Sequence, residues 1–147
     1  MNIYLDNCCF NRPFDDQSFI RIKLETDAKL HIQGKVRRQE LELTWSYILE
    51  FENSMNPYKN KRERIQKWKI FASNVVCETP TILSCGHTFQ EQGVKKKDSL
   101  HLACAIEGQC DYFLTTDDKL LKKRQDITEV HIISPVEFVT TILEERS

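Results

Sequence analysis

Short apolar runs alternate with longer amphipathic stretches along this chain of 147 residues. Short apolar runs bounded by polar residues are typical of buried strands, and apolar side chains three or four positions apart are typical of helices. The predicted strands span residues 3–5, 40–45, 75–77, 112–115 and 130–133. The predicted helices span residues 18–33, 47–55, 58–74, 80–93 and 98–108, and a further helix begins after Ser134.

Capping residues and helix breakers mark several of these boundaries. Ser46 is a typical N-cap, and Pro57 ends the helix that follows it. Ser134 is a second typical N-cap, and Pro135 stands at the first position of the helix that follows it. Strands and helices alternate along the whole chain, and parallel strands need such crossover connections. We therefore expect one domain over residues 1–147, an α/β protein with three layers (α/β/α) and a mainly parallel central sheet.

The composition is that of a globular domain with separated patches of charge. Hydrophobic residues make up 40% and charged residues 29%, and 21 Lys and Arg nearly balance 22 Asp and Glu, for a net charge of −1. This balance excludes a uniformly basic protein that coats nucleic acid. Two clusters are nevertheless basic. One is residues 58–69, which contain six Lys or Arg and one acid, and the other is Lys95 to Lys97.

No apolar run approaches the roughly 18 residues of a membrane helix, and the N-terminus has neither the basic nor the apolar region of a signal peptide. We therefore expect a cytoplasmic protein with no membrane partner.

The six cysteines contain no CxxC pair. We expect most of them to be small buried hydrophobic residues rather than metal ligands.

Four carboxylates stand at positions that should meet at one edge of the predicted sheet. Asp6 ends the first strand, Asp117 follows the strand at 112–115, Asp98 begins a helix, and Glu50 lies early in the helix after the second strand. Ligands of parallel sheets bind at the carboxyl ends of the strands. Because clustered carboxylates repel one another, this pattern indicates a hard divalent cation and metal-assisted attack of water on a phosphodiester.

Each carboxylate also has an ordinary structural explanation. Asp98 can cap its helix, and Asp117 and Asp118 can cap the next one. Glu50 on an amphipathic helix can simply be solvated. Asp6 is the hardest to explain in this way, because a carboxylate directly after a buried first strand seldom serves packing.

Four short motifs follow one another along nearly the whole chain. They are Tyr-Leu-Asp-Asn at 4–7, Ser46 followed by Glu50, Asp-Ser-Leu-His-Leu-Ala at 98–103 and Asp-Tyr-Phe-Leu-Thr-Thr-Asp at 111–117. In this order they resemble the four acidic landmarks of PIN domains. PIN domains are small metal-dependent ribonucleases, and many are VapC-like toxins of toxin–antitoxin pairs.

The resemblance implies a PIN-like fold and one or two bound Mg²⁺ or Mn²⁺ ions. It makes four acids both catalytic and metal-binding: Asp6, Glu50, Asp98 and Asp117. It places the hydroxyl of Thr115 or Thr116 beside the metal water or the scissile phosphate, and it leaves open whether Asp118 shares the role of its neighbour. It also implies a homodimer and, for a toxin, an inhibiting antitoxin.

Polar residues near the acids are candidates for contact with RNA. The candidate substrate-binding residues are Asn7, Arg12, Lys95, Lys96, Lys97, Thr115 and Thr116. Arg12 suits a phosphate, which a guanidinium binds through two hydrogen bonds, and an ion pair with a nearby aspartate is the equal alternative. The lysines suit contacts with the nucleic-acid backbone that are independent of sequence. His101 is interpreted as a core or supporting residue, and Glu52 as a solvated one.

We therefore predict a single-domain endoribonuclease that depends on Mg²⁺ or Mn²⁺ and acts on single-stranded or structured RNA through a metal-activated water. The alternative is a PIN-like module that binds RNA or a protein partner without effective catalysis. A haloacid-type phosphatase needs a second aspartate where Cys8 stands. A receiver domain needs an acidic pair after the first strand and a lysine after the last, and Asn7 and Pro135 fit this poorly.

Overall fold

The structure, a computed structural model, describes residues 1–144, in which strands alternate with helices. The strands are β1 (Asn2–Leu5), β2 (Glu42–Ser46), β3 (Asn74–Val76), β4 (Tyr112–Leu114) and β5 (His131–Ile133). The α-helices are α1 (Asn7–Asn11), α2 (Ile20–Arg37), α3 (Tyr47–Ser54), α4 (Lys59–Gln66), α5 (Pro80–Glu91), α6 (Lys96–Glu107), α7 (Asp118–Lys122) and α8 (Pro135–Glu137). Short 3₁₀-helices span Arg12–Phe14 and Lys67–Phe71, and a π-helical segment spans Phe138–Leu143.

The five strands form one sheet in the order β3-β2-β1-β4-β5, and every pair is parallel. The helices cover this sheet in the predicted three-layer α/β/α arrangement. From β1 the chain first builds β2 and β3 on one side and then returns to build β4 and β5 on the other. Chain connections therefore leave β1 and β4 in opposite directions, which opens a crevice at their carboxyl ends, the usual ligand position in such sheets.

The core is buried on both faces of the central strands. Ile3, Tyr4 and Leu5 of β1 are all fully buried, which explains why this strand is a continuous apolar run rather than an alternating one. The Tyr4 ring stacks on Phe113 of β4, with ring centroids 5.3 Å apart. This packing holds the ends of β1 and β4 rigidly side by side.

Two helices differ from their predicted extents. Helix α2 continues through Gly34 to Arg37, because Ile32 and Val36 are both buried and their packing outweighs the poor helix propensity of glycine. The helix predicted over 58–74 ends as α4 at Gln66, and a 3₁₀-helix leads on towards β3.

The cysteines are all free thiols, and three of them, Cys9, Cys104 and Cys110, are buried. Cys8 and Cys85 are half-buried and Cys77 is exposed, so burial is less general than predicted. Within residues 1–144 no helix has both the length and the apolar character that crossing a membrane requires.

Candidate active site

Asp6 lies where β1 ends, and its carboxylate is held from two sides. Its Oδ1 accepts a hydrogen bond from the Asn7 amide at 2.8 Å, which makes Asp6 the N-cap of α1. Its Oδ2 accepts a hydrogen bond from the Thr115 hydroxyl at 2.9 Å, directly after β4. The Asp117 amide in turn donates to Thr115 Oγ1 at 3.1 Å. The buried Thr115 hydroxyl therefore fixes the acid of β1 to the end of β4.

A cavity of about 480 Å³ opens beside Asp6 in the crevice of the sheet. Its lining residues are Asp6, Asn7, Cys8, Glu52, Lys95, Lys96, Lys97, Asp98 and Asp117. The four carboxylates come from the end of β1, from α3 and from the starts of α6 and α7. The three lysines are exposed, whereas Asp6 is buried. The cavity, called the acidic cavity below, thus combines a buried acid with a basic rim.

The acid that α3 contributes to the acidic cavity is Glu52, and the predicted Glu50 does not line it. Glu50 accepts hydrogen bonds from Gln66 Nε2 at 2.8 Å and from Lys69 Nζ at 2.9 Å, and these contacts lower its pKa. Glu52 lies two residues further on, about 200° around the helix, with its side chain only 16% exposed. The interpretation of Glu52 as a solvated residue is therefore wrong, because most of its side chain is buried.

The buried face of α3 is the signal that identifies Glu52. Ile48 and Leu49 are buried in the first turn, so positions three and four residues later, which include Glu52, face the same way. Phe51 obscured this pattern, since it is apolar and yet 54% exposed. Cys8 was likewise not predicted in the site, although it directly follows Asn7 on the same short helix.

His101 connects Glu52 to the core. Its Nε2 forms a hydrogen bond with Glu52 Oε1, and its Nδ1 shares one with the Tyr4 hydroxyl, which is also 2.6 Å from Ser46 Oγ. Burial on its own lowers the pKa of His101, but the bond to Glu52 and the nearby negative charges outweigh burial and raise it. Burial raises the pKa of Glu52, but His101 outweighs this and lowers it. His101 is thus a buried supporting residue, as predicted, and keeps Glu52 ionised and oriented.

Asp98 is a member of the cluster rather than a helix cap. The N-cap of α6 is Lys95, and Asp98 lies in the first turn. Burial raises the pKa of Asp98 to about 6, and the negative charges of Asp6 and Asp117 add to this effect. A positive charge in the cavity would therefore stabilise the ionised form of Asp98.

The donor atoms of the acidic cavity suit a hard divalent cation. Carboxylate oxygens are the protein ligands that Mg²⁺ and Mn²⁺ prefer, with water completing the coordination. Among residues 1–144, no three His, Cys, Asp or Glu side chains are already arranged around one ion position. Asp6 and Glu52 instead use their oxygens in hydrogen bonds with neighbouring side chains. The chemistry of the donors fits such an ion, and the hydrogen bonds orient two of them.

Besides Glu50, four of the residues considered from the sequence do not line the acidic cavity: Arg12, Thr115, Thr116 and Asp118. Thr115 contacts the site through the hydrogen bond of its hydroxyl to Asp6. Arg12 forms ion pairs with Asp15 at 2.9 Å and Glu25 at 3.0 Å, so its guanidinium is not available to a phosphate. Thr116 is buried beside Thr115 and does not line the cavity. Asp118 lies on the surface and pairs with Arg21 at 2.8 Å, which lowers its pKa.

No protein-family model matches this sequence, and no curated protein matches it. Solved structures do match it by fold. A chain of VapBC2 from Rickettsia felis, bound to a DNA fragment from their promoter, has a TM-score of 0.56 and 12% identity, over 91% of this chain and 98% of that one. A chain of VapBC-1 from nontypeable Haemophilus influenzae has a TM-score of 0.58 and 15% identity, over 92% of this chain and 98% of that one. The likeness is one of fold and spans nearly all of both chains. The chain therefore shares the fold of these VapBC chains, as the resemblance to VapC-like PIN domains implied.

Proposed function

We propose that this protein is a metal-dependent endoribonuclease that hydrolyses RNA phosphodiester bonds, acting as the toxin of a toxin–antitoxin pair. The observation that supports this most directly is the convergence of four carboxylates on one cavity rimmed by lysines. These carboxylates are Asp6, Glu52, Asp98 and Asp117. The VapC-like PIN fold places the cavity where ligands of parallel sheets bind.

The residues of the cavity divide into three roles. The four carboxylates hold Mg²⁺ or Mn²⁺, which when bound acts as a Lewis acid and lowers the pKa of a water ligand. Thr115 and His101 orient Asp6 and Glu52 through their hydrogen bonds. Lys95 to Lys97 bind phosphates of the RNA strand by charge, without reading its sequence.

A matched pair of substitutions on α3 tests this assignment. With Mn²⁺ or Mg²⁺ the purified protein should cleave single-stranded RNA, and a chelator should stop the reaction. Glu52→Gln should lower the cleavage rate by at least about 10–100-fold, as losses around metal sites typically do. Glu50→Gln carries the same change in charge outside the cavity and should keep near-native activity.

Two results would contradict this assignment. Equal activity of Asp6→Asn and the native protein would indicate a contaminating enzyme. Metal-dependent cleavage that is lost with Glu50→Gln and kept with Glu52→Gln would assign the reaction to another site.

The alternative function is a module that binds RNA or a protein partner without effective catalysis. It is favoured by the lack of any pre-arranged group of three ligands within residues 1–144. RNA binding by the native protein, together with undetectable cleavage at any metal concentration, would decide for this alternative.

The antitoxin partner is inferred from the VapBC structures that share the fold. Co-expression with the product of an adjacent reading frame should give a stable complex in which RNA cleavage is suppressed. We also expect a homodimer, which the molar mass of the purified protein in solution would test.

A further inference from the structure

A second groove, called the side groove below, adjoins the acidic cavity. Its volume is about 360 Å³, within the range of roughly 300–1,000 Å³ that is usual for small-ligand pockets. Asn7 and Glu52 line both spaces, and Asn7 Nδ2 donates a hydrogen bond to Glu52 Oε2 at 3.2 Å. A strand with a phosphate in the acidic cavity would therefore have its neighbouring nucleotide at the side groove.

The side groove contains an exposed aromatic ring, and hydrogen bonds hold the backbone of the turn that carries it. Tyr58 lies between α3 and α4 and is 61% exposed, and Met55 beside it is 69% exposed. The Tyr58 amide donates to Asn56 Oδ1 at 3.0 Å, and its carbonyl accepts from the Arg62 amide at 2.9 Å. Every nucleobase has a face that stacks on such a ring, and a backbone held in advance loses little freedom when the base binds.

The lining of the side groove contains two carboxylates, Asp15 and Glu52, and one cation, Lys61. Both carboxylates are already paired, with Arg12 and His101 respectively, so Lys61 supplies the charge that favours a polyanion. The Lys61 ammonium lies 4.4 Å from the centroid of the Tyr58 ring and 5.7 Å from that of Phe14. Among residues 1–144 no carboxylate forms an ion pair with Lys61, so this cation is available to a phosphate. Residues 59–69, which begin at this turn, contain six Lys or Arg and one Glu, for a net charge of +5.

We propose that the side groove binds one unstacked nucleobase of single-stranded RNA, next to the nucleotide whose phosphate occupies the acidic cavity. The base stacks on Tyr58, and a phosphate of the same strand lies beside Lys61. The position of this base relative to the reacting phosphate rests on the proposed nuclease function. The stacking itself requires only that the protein binds RNA.

The test measures RNA binding under conditions in which the RNA is not cleaved. A fluorescein-labelled single-stranded RNA is titrated by fluorescence anisotropy, first with the native protein in chelator and then with Asp6→Asn in Mg²⁺. Tyr58→Ala should weaken binding about 5- to 150-fold, the usual range for one stacked base. Tyr58→Phe keeps the ring and should bind within about twofold of the native protein. As a control, Phe51→Ala removes an exposed aromatic ring on α3 that does not line the side groove, and it should have no effect.

An abasic scan of the oligonucleotide locates the stacked base. Removing the base at one position should weaken binding to the native protein and leave binding to Tyr58→Ala unchanged. Equal affinities of Tyr58→Ala and the native protein overturn the proposal, as does failure to bind RNA in both conditions. Weakened binding of a protein partner by Tyr58→Ala, with RNA affinity unchanged, also overturns it and assigns the groove to that partner.

These outcomes separate the side groove from the nuclease. Cleavage of RNA with no effect of Tyr58→Ala would leave the nuclease standing and remove the base site. RNA binding that depends on Tyr58, without any cleavage, would support the base site and remove the nuclease.

Discussion

Replacing Lys29 by methionine should stabilise this protein in mildly acidic solution and have less effect as the pH rises. Lys29 lies on the inner side of α2 and is 4% exposed. Its ammonium lies 5.6 Å from the centroid of the Phe10 ring and 6.0 Å from that of Trp68. Burial lowers the pKa of Lys29 to about 7.

The size of the effect follows from this pKa. An unfolded lysine has a pKa near 10.4, so the difference of about 3.4 units corresponds to about 4.6 kcal/mol. The two ring faces stabilise the ammonium by about 1–2 kcal/mol in total, which leaves a cost of about 3 kcal/mol. The folded state binds this proton less tightly than the unfolded state. The cost is therefore complete below pH 7, falls between pH 7 and about 10, and is absent above that range.

Urea unfolding of both proteins at pH 6 and pH 9.5 measures this difference. Lys29→Met should increase the free energy of unfolding by about 3 kcal/mol at pH 6, since methionine fills similar space without a charge, and by only about 1 kcal/mol at pH 9.5. Lys23→Met removes an exposed lysine of the same helix, paired with Asp27, and should change stability little at either pH. If Lys29→Met destabilised the protein equally at both pH values, the ammonium would be solvated in the fold and the reasoning would fail.

Two further predictions concern the acidic cavity. In chelator at pH 7, Asp98→Asn should increase stability by about 1–2 kcal/mol after allowance for solvent screening, because the folded pKa of about 6 exceeds the unfolded value near 3.9 and ionisation therefore costs stability. This gain should disappear by about pH 4. Mg²⁺ should raise the melting temperature of Asp98→Asn less than that of the native protein, whereas Asp118→Asn, outside the cavity, should leave the metal effect unchanged. His101→Leu removes one hydrogen bond from Glu52 and one from the Tyr4 hydroxyl, which keep their contacts with Asn7 and Ser46, and should lower the free energy of unfolding by about 2–4 kcal/mol in urea. A destabilised Asp98→Asn in chelator, or a His101→Leu protein as stable as the native one, would contradict these arguments.

The position of Glu50 outside the acidic cavity shows where a sequence pattern stops being informative. Asp6 and Asp117 follow predicted strands, and in a parallel sheet the carboxyl ends of neighbouring strands share one edge. Glu50 and Glu52 both lie on α3, and only the rotation of that helix decides which one faces the sheet. That rotation is set by Ile48, which packs inward, and by Lys69, which draws Glu50 outward. The contact with Lys69 joins residues far apart in the chain, and the local pattern of apolar positions on α3 is obscured by the exposed Phe51.

The sequence by itself determined the alternation of strands and helices, and with it the parallel α/β/α architecture, because hydrophobic periodicity and capping are local properties. It also determined that carboxylates stand at strand ends. Only the tertiary structure decided the strand order, which puts β1 beside β4 and brings Asp6 within a hydrogen bond of Thr115 across 109 positions of the chain. The same packing decided that Lys29 is buried against two aromatic rings and that Tyr58 is exposed beside the acidic cavity. Burial depends on which surfaces meet in the fold, and no local stretch of sequence contains that information.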